Sequence, residues 1–437
     1  MNRLVIKGGR LIDPSANIDG IYNIYVMGGR IASVKPAATD TSELNEQSPE
    51  LEIIDASGLV VTPGFIDAHT HLREPGFEYK ETIRTGTMAA AAGGFTTILC
   101  MANTRPVNDN GSVTHDIVRK ASAEGLVNVR PVGALSYGQK GERLTEMAEL
   151  KAAGCVAVSD DGVPVLDAGL MRRALEYAGG FGLVVISHAE EPALAGSGVM
   201  NEGPVATRLG LGGIPNAAED AMVARDLTLA ELTGGRLHIA HVSTRGSVEL
   251  LRLAKAKGVR VTAEVTPHHL ALTDEAVIGY NTNAKMNPPL RSLEDVEALR
   301  SALMDGTIDC IATDHAPHST IEKDVEFDNA SNGVIGLETA FSVVYKLCLE
   351  GHLTLAGVIK ALTTGPAAAF GLSIGAVRVG FPADIAIIDL EKSWKVEAKG
   401  LKSRSKNSPW LGTELPGRVV KTIVGGKVVY DLDKENK

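Results

Sequence analysis

Between Phe65 and Ala316 the sequence repeats one alternation eight times: a short apolar run, then a longer Ala/Leu/Glu-rich segment of helical period. The runs are GFIDAHTH, FTTILCMANT, VNVRPVGAL, CVAVSDDG, LVVISHAE, LHIAHVST, RVTAEVTPHH and DCIATDHAPH. Short runs rich in Val, Ile and Ala read as strands buried on both faces. Segments such as ETIRTGTMAAAAGG and GSVELLRLAKAKG read as helices that stop at Gly. Strands alternating with helices argue for a parallel sheet, and eight such units predict an α/β fold, a (β/α)8 TIM-type barrel.

On both sides of this region the rhythm changes. LVIKGGRLID, IYNIYVMGGRIASVKP and LEIIDASGLVVTP at the start, and ADIAIIDL and RVVKTIVGGKVVYD at the end, are strands punctuated by Gly and Asp. We expect a small β-sandwich domain formed from both chain termini, residues 1–62 and 371–437, flanking a barrel domain over 63–370. The polar stretch Thr39–Glu50 reads as an exposed loop. No solenoid repeat interrupts the pattern.

Composition narrows the function. The 437 residues are 44% hydrophobic and 22% charged, which suits a large packed core. A net charge of −10 disfavours nucleic acid or an anionic membrane as the main partner. A small anionic substrate stays compatible with it, through a local cationic pocket. Cys100, Cys155, Cys310 and Cys348 form no C-x-x-C pair, and three sit in apolar runs. They read as reduced core thiols of a cytoplasmic protein. We see neither a signal peptide nor an apolar stretch of membrane-spanning length.

Six of the eight runs end in residues able to bind a metal: His69/His71, Asp161, His188, His241, His268/His269 and Asp314. The C-terminal ends of barrel strands share one mouth, so residues far apart in sequence converge there. His69 and His71, two apart on a strand, point the same way and can share one ion. An isolated H-x-H is more readily a pair of exposed or hydrogen-bonded imidazoles. His188 and His241 close successive strands, where neutral imidazole suits zinc and similar ions. Asp160-Asp161-Gly162 is a turn signal, or else Asp161 is a carboxylate bridging two metals roughly 3.5–4 Å apart. Asp314 is a turn residue, or else a metal ligand that accepts a proton from activated water. Arg73 and Glu74 can form a surface ion pair, although a guanidinium two residues after His71 suits a substrate carboxylate.

Taken in order, PGFIDAHTHLREPG, GGFTTILCMANTRP, SDDG, ISHAEE, IAHVSTRGS, EVTPHHL, KMNPPLR and IATDHAPH resemble the amidohydrolase superfamily, and more closely the bacterial type I dihydroorotases. The resemblance runs over nearly the whole chain. It implies a zinc-dependent cyclic amidohydrolase holding one or two Zn2+, with His69, His71 and Asp314 on the first ion, His188 and His241 on the second, and Asp161 bridging. It implies Arg73 and Asn103 on the substrate carboxylate. Asn287, His318 and the Asn332-Gly333 loop contact the ring or its carboxylate, His71 borders the same pocket, and Asp314 is the catalytic acid/base.

The implied reaction is the reversible cyclisation of N-carbamoyl-L-aspartate to dihydroorotate in pyrimidine biosynthesis, with metal-bound hydroxide attacking the cyclic amide in the reverse direction. The implied assembly is a homodimer, with a complex with aspartate transcarbamoylase as a further partnership. Many superfamily relatives bridge their metals with a carboxylated lysine on the fourth strand, whereas CVAVSDDG has none and Lys151 lies several residues earlier. Some relatives have Pro-Phe-Gly where this chain has Ser331-Asn332-Gly333. His268 and His269 match no ligand role and read as supporting groups, and His115, His238 and His352 as structural. The competing functions are a related allantoinase or hydantoinase, and a non-catalytic scaffold for aspartate transcarbamoylase.

Overall fold

All eight expected barrel strands form. The computed structural model describes residues 3–40 and 51–435. Its barrel strands are β1 (Phe65–Thr70), β2 (Phe95–Cys100), β3 (Asn128–Gly133), β4 (Ala157–Ser159), β5 (Val184–Ser187), β6 (Leu237–Ile239), β7 (Val261–Val265) and β8 (Cys310–Ile311). Each pairs in parallel with the next. The ring closes where Thr70 bridges His315 in parallel and His71 N donates to His315 O at 2.9 Å.

The strands are apolar because both of their faces are covered. Inside the ring, Ala68, Leu99, Val132, Val184, Ile186 and Ala312 meet, with Phe370 packed against them. Small Ala side chains there leave room for the bulkier neighbours. Outside the ring, Phe65 lies edge-on to Phe95 and stacks on Phe341, both at 5.7 Å between ring centres. The helices start at residues that satisfy their first free N–H groups. Thr82 caps Ile83–Ala92, Asn110 caps Gly111–Glu124 and Thr244 caps Arg245–Ala256.

Strands from the two ends of the chain join in a second, eight-stranded sheet. Val60–Pro63 holds it together, pairing in parallel with Arg3–Asp13 and antiparallel with Ile385–Lys395. The expected sandwich is therefore hydrogen-bonded as one continuous sheet. Leu4, Ile6, Ile24, Ile385, Ile387 and Ile423 fill a single core within it. Thr422 Oγ1 donates to Ala91 O at 2.6 Å and ties this sheet to the barrel's first helix. Of the loop expected over Thr39–Glu50, residues 41–50 lie outside the described residues. All four cysteines are free, and Cys100, Cys155 and Cys310 are buried. Among the described residues no helix is long and apolar enough to cross a membrane.

Phe65 joins the barrel wall to the outer helices through two aromatic contacts. Phe65→Ala is expected to lower stability by about 3–5 kcal/mol, read as a shifted urea midpoint. A shift worth under about 1 kcal/mol would remove Phe65 from the packing that holds the barrel.

Candidate metal centre

His69 and His71 sit at the end of β1, and Asp161, His188, His241 and Asp314 lie within three residues past the ends of β4, β5, β6 and β8. The shared direction of the strands brings all six to one mouth. Their local backbone is unusual: Arg73, His241 and Asp314 adopt left-handed φ of 62°, 33° and 46°. Such conformations cost roughly 1–3 kcal/mol each in non-glycine residues and persist only where the surroundings enforce them. Asp67, buried inside β1, is one enforcer. Its Oδ1 accepts from His69 N at 3.1 Å and Thr313 N at 3.0 Å, which ties β1 to the segment carrying Asp314. Burial pushes the Asp67 carboxyl up to about 7.

Asp161 stands at the centre. Its Oδ1 lies 3.3 Å from His69 Nε2 and 3.6 Å from both His188 Nδ1 and His241 Nε2, while Oδ2 lies 3.5 Å from His71 Nε2. Asp314 Oδ1 is 2.9 Å from His71 Nε2 and 3.5 Å from His69 Nε2. His188 Nδ1 and His241 Nε2 approach to 2.9 Å. His69 Nε2 and Asp161 Oδ1 are buried, and neither forms a hydrogen bond. Leaving such atoms unpaired in the interior costs free energy unless something else binds them. His69, His71 and Asp314 can share one cation, and so can His69, Asp161 and His241. Imidazole nitrogens with carboxylate oxygens suit zinc-like divalent ions, so the residues present fit a metal.

The electrostatics agree. Burial alone would raise Asp161, but the facing His69, His188 and His241 override it and hold the carboxyl well below its usual range. Burial likewise opposes ionised Asp314, and His69 and His71 hold it down. His69 is driven well above its usual range, because Asp161, Glu264 and Asp314 outweigh its burial.

A layer of acceptors behind the imidazoles sets which nitrogen faces the mouth. Glu264 Oε1 lies 2.6 Å from His69 Nδ1, and Asn103 Oδ1 lies 2.9 Å from His71 Nδ1. Each acceptor engages Nδ1, so Nε2 is the nitrogen that each ring turns to the centre. Glu264 also reaches His238 Nε2 at 3.1 Å, so His238 supports the site from behind. Despite full burial, His69 and His238 keep the Glu264 carboxyl down at about 2. The sequence reading missed Glu264; the available signal was one acidic residue inside the apolar strand VTAEV, since buried carboxylates are rarely unpaired.

The remaining histidines divide clearly. His269 bonds Thr266 Oγ1 at 2.8 Å and Pro288 O at 3.0 Å, next to Asn287. His268 Nε2 is buried without a hydrogen bond, and burial lowers that imidazole to about 4. His115 and His352 are exposed, as is Lys151 on the helix Met147–Ala153, so Lys151 does not take the place of Asp161.

The mouth opens into a cavity of about 220 Å³. His71, Arg73, Asn103, Asn287, His318, Asn332 and Gly333 all line it beside Asp161, His188, His241 and Asp314. Arg73 forms no pair with Glu74, whose carboxylate binds Lys120 Nζ at 2.9 Å. Instead Arg73 Nε donates to Pro317 O at 3.2 Å and Nη2 to His318 Nε2 at 3.4 Å. Burial and the neighbouring Arg73 lower His318 to about 3, so that ring is neutral. Asn287 Oδ1 and His318 Nδ1 are buried without hydrogen bonds.

The family model described as Dihydro-orotase-like matches residues 58–247. A dihydroorotase of Geotalea daltonii is 58% identical, covering 98% of this chain and 100% of its own length. One from Anaeromyxobacter dehalogenans is 55% identical, covering 99% of both. The chain belongs to the dihydroorotase family. Dihydroorotases are metal-dependent cyclic amidohydrolases, and the buried ligand clusters at this barrel mouth are of the kind such chemistry needs. The barrel itself is shared more widely. An L-hydantoinase from Arthrobacter aurescens aligns with a TM-score of 0.88 at 27% identity, covering 99% of this chain and 96% of its own. A D-hydantoinase from Thermus sp. aligns at 0.82 with 26% identity, covering 98% and 95%.

Glu264→Gln removes the charge behind His69 while keeping its shape. It is expected to weaken metal affinity about 10–100-fold, measured by competition with a chromophoric chelator. An affinity equal to that of the parent would leave Glu264 no part in holding the centre.

Proposed function

We propose that this chain is a dihydroorotase that interconverts N-carbamoyl-L-aspartate and dihydroorotate, with the barrel over 63–370 as the catalytic domain. The observation that carries the reading is Arg73: a buried guanidinium with no carboxylate hydrogen-bonded to it, on the same cavity wall as Asp314. The substrate supplies the missing carboxylate, and a planar fork binds it through two parallel bonds. Asn103 spends its Oδ1 on His71 and keeps its amide NH2 for the same anion. Asn287, neutral His318 and the Asn332-Gly333 loop surround the ring.

His69, His71, Asp161, His188, His241 and Asp314 would hold the metal, one or two Zn2+. Bound there, the metal supplies Lewis acidity, polarising the ring carbonyl and lowering the pKa of water toward neutrality. Asp314, kept ionised by His69 and His71, would accept the proton of the attacking water. The water oxygen bonds to the amide carbon, the ring C–N bond breaks, and Asp314 returns the proton to the departing nitrogen. Cyclisation runs through the same groups in reverse. The setting that accompanies this reading is the cytoplasm, as a homodimer able to associate with aspartate transcarbamoylase. A scaffold role would not require the full ligand set, and a hydantoinase reading lacks the bridging lysine.

Asp314→Asn is expected to retain metal and lose at least about 1000-fold in kcat, followed by loss of dihydroorotate absorbance alongside metal analysis. Turnover near that of the parent in a metal-loaded variant would refute the acid/base assignment. In a substrate panel, dihydroorotate is expected to be hydrolysed in preference to allantoin and hydantoins. Arg73→Lys should raise KM for it about tenfold or more, because the fork is lost. Equal rates on hydantoin would move the chain to the hydantoinases.

A further inference from the structure

Residues 401–408 belong to the connection between two strands of the terminal sheet, yet much of this irregular segment is buried against the barrel. Loops normally lie exposed, because buried backbone groups need partners. Here the barrel provides them. Glu338 accepts from Lys402 N at 2.8 Å and Ser403 N at 3.0 Å, and Glu81 accepts from Arg404 N at 3.0 Å. Ser405 Oγ donates to Lys80 O at 2.7 Å. These bonds fix the segment and deliver Asn407, itself buried, behind the substrate cavity.

Asn407 uses both ends of its amide there. Its Oδ1 accepts from His318 N at 3.1 Å, and its Nδ2 donates to Ala316 O at 3.0 Å and Gly333 O at 3.1 Å. Its backbone O accepts from Ile335 N at 2.9 Å. Ala316, His318 and Gly333 all line the cavity. One side chain thus joins the loop after β8 to the Asn332-Gly333 loop. The two loops have no slack: Gly333 sits at φ +120°, and a Cβ there would lie 2.6 Å from Ala316 Cβ. Lys323 Nζ reinforces the same loop through Ser331 O at 2.8 Å and Gly333 O at 3.1 Å.

We infer that Asn407 is a positioning residue for substrate: it clamps the loops carrying His318 and Asn332-Gly333 in the spacing that a bound cyclic amide requires. The inference rests on the dihydroorotase reading above for the identity of that substrate. Five of the six expected metal ligands stand on other strands, and Asp314, on the segment after β8 that the clamp also grips, is separately tied to β1 by the bond from Thr313 N to Asp67, so the clamp acts on binding more than on the reacting centre. The role needs one acceptor and two donors on a short planar group, which asparagine has. Aspartate at this position keeps the bond from His318 N but brings a carboxylate oxygen against two carbonyl oxygens.

The test compares the metal-loaded parent with Asn407→Ala and with the near-isosteric Asn407→Asp. Both variants are expected to raise KM for dihydroorotate roughly tenfold or more, with kcat within about threefold and metal content unchanged. Aspartate should rescue nothing relative to alanine. In parallel, hydrogen exchange of the His318 amide should quicken in Asn407→Ala, whose side chain offers it no acceptor. A folded variant with the KM of the parent overturns the inference, as does a fall in kcat or metal content at constant KM. If the parent itself does not turn over dihydroorotate, the proposed function fails. The clamp is then decided by exchange alone: faster His318 exchange in Asn407→Ala upholds it, and equal protection rejects it.

Discussion

Asp161 sets the terms for the rest of the molecule. A carboxylate buried among four imidazoles and a second carboxylate is favourable only if every neighbour is held at a fixed angle and distance, because an unmatched charge in the interior costs several kcal/mol. The closed ring of strands meets that demand. Each strand ends at the same mouth, and five of them carry one or two of the six groups, which could not be placed together from a single segment. The left-handed residues Arg73, His241 and Asp314 show the same priority locally, since backbone preference yields to the direction in which a side chain must point.

Support for the centre comes in layers that differ in chemistry. Closest are Glu264 and Asn103, which engage the outward nitrogens of His69 and His71. Next is Asp67, a buried carboxyl spanning β1 and the Asp314 segment by hydrogen bonds. Farthest out is the terminal sheet, whose connecting segment reaches back to the mouth through Glu81, Glu338 and Asn407. A connection of the small sheet thus supports the pocket wall from behind, although none of the expected metal ligands lies on it.

How much of this could be read from the sequence depended on whether a feature was local. The strands were legible because burial on both faces leaves continuous apolar runs, and the candidate ligands because each stands just past such a run. The Arg73–Glu74 pair shows where adjacency misleads: Glu74 turns to Lys120, leaving Arg73 to the cavity. The roles of Glu264, marked only as one acid inside an apolar strand, and of Asn407 were hidden for a related reason. Their meaning lies in partners far away in sequence, His69 for one and His318 with Gly333 for the other. The terminal strands were legible as strands. That they form one continuous sheet was not, since pairing order leaves little trace in a strand's own composition.

The pairing of Val60–Pro63 with Ile385–Lys395 carries a consequence for how the molecule is made. A ribosome finishes the first strand long before it reaches the second. At about 5–20 residues per second, the stretch between Pro63 and Ile385 takes on the order of tens of seconds to synthesise. Through that interval the N-terminal strands present an open, apolar edge with no permanent neighbour, the kind of edge that invites pairing with another chain. The entire barrel must emerge while that edge waits. The strand Ile385–Lys395 is the one that covers it.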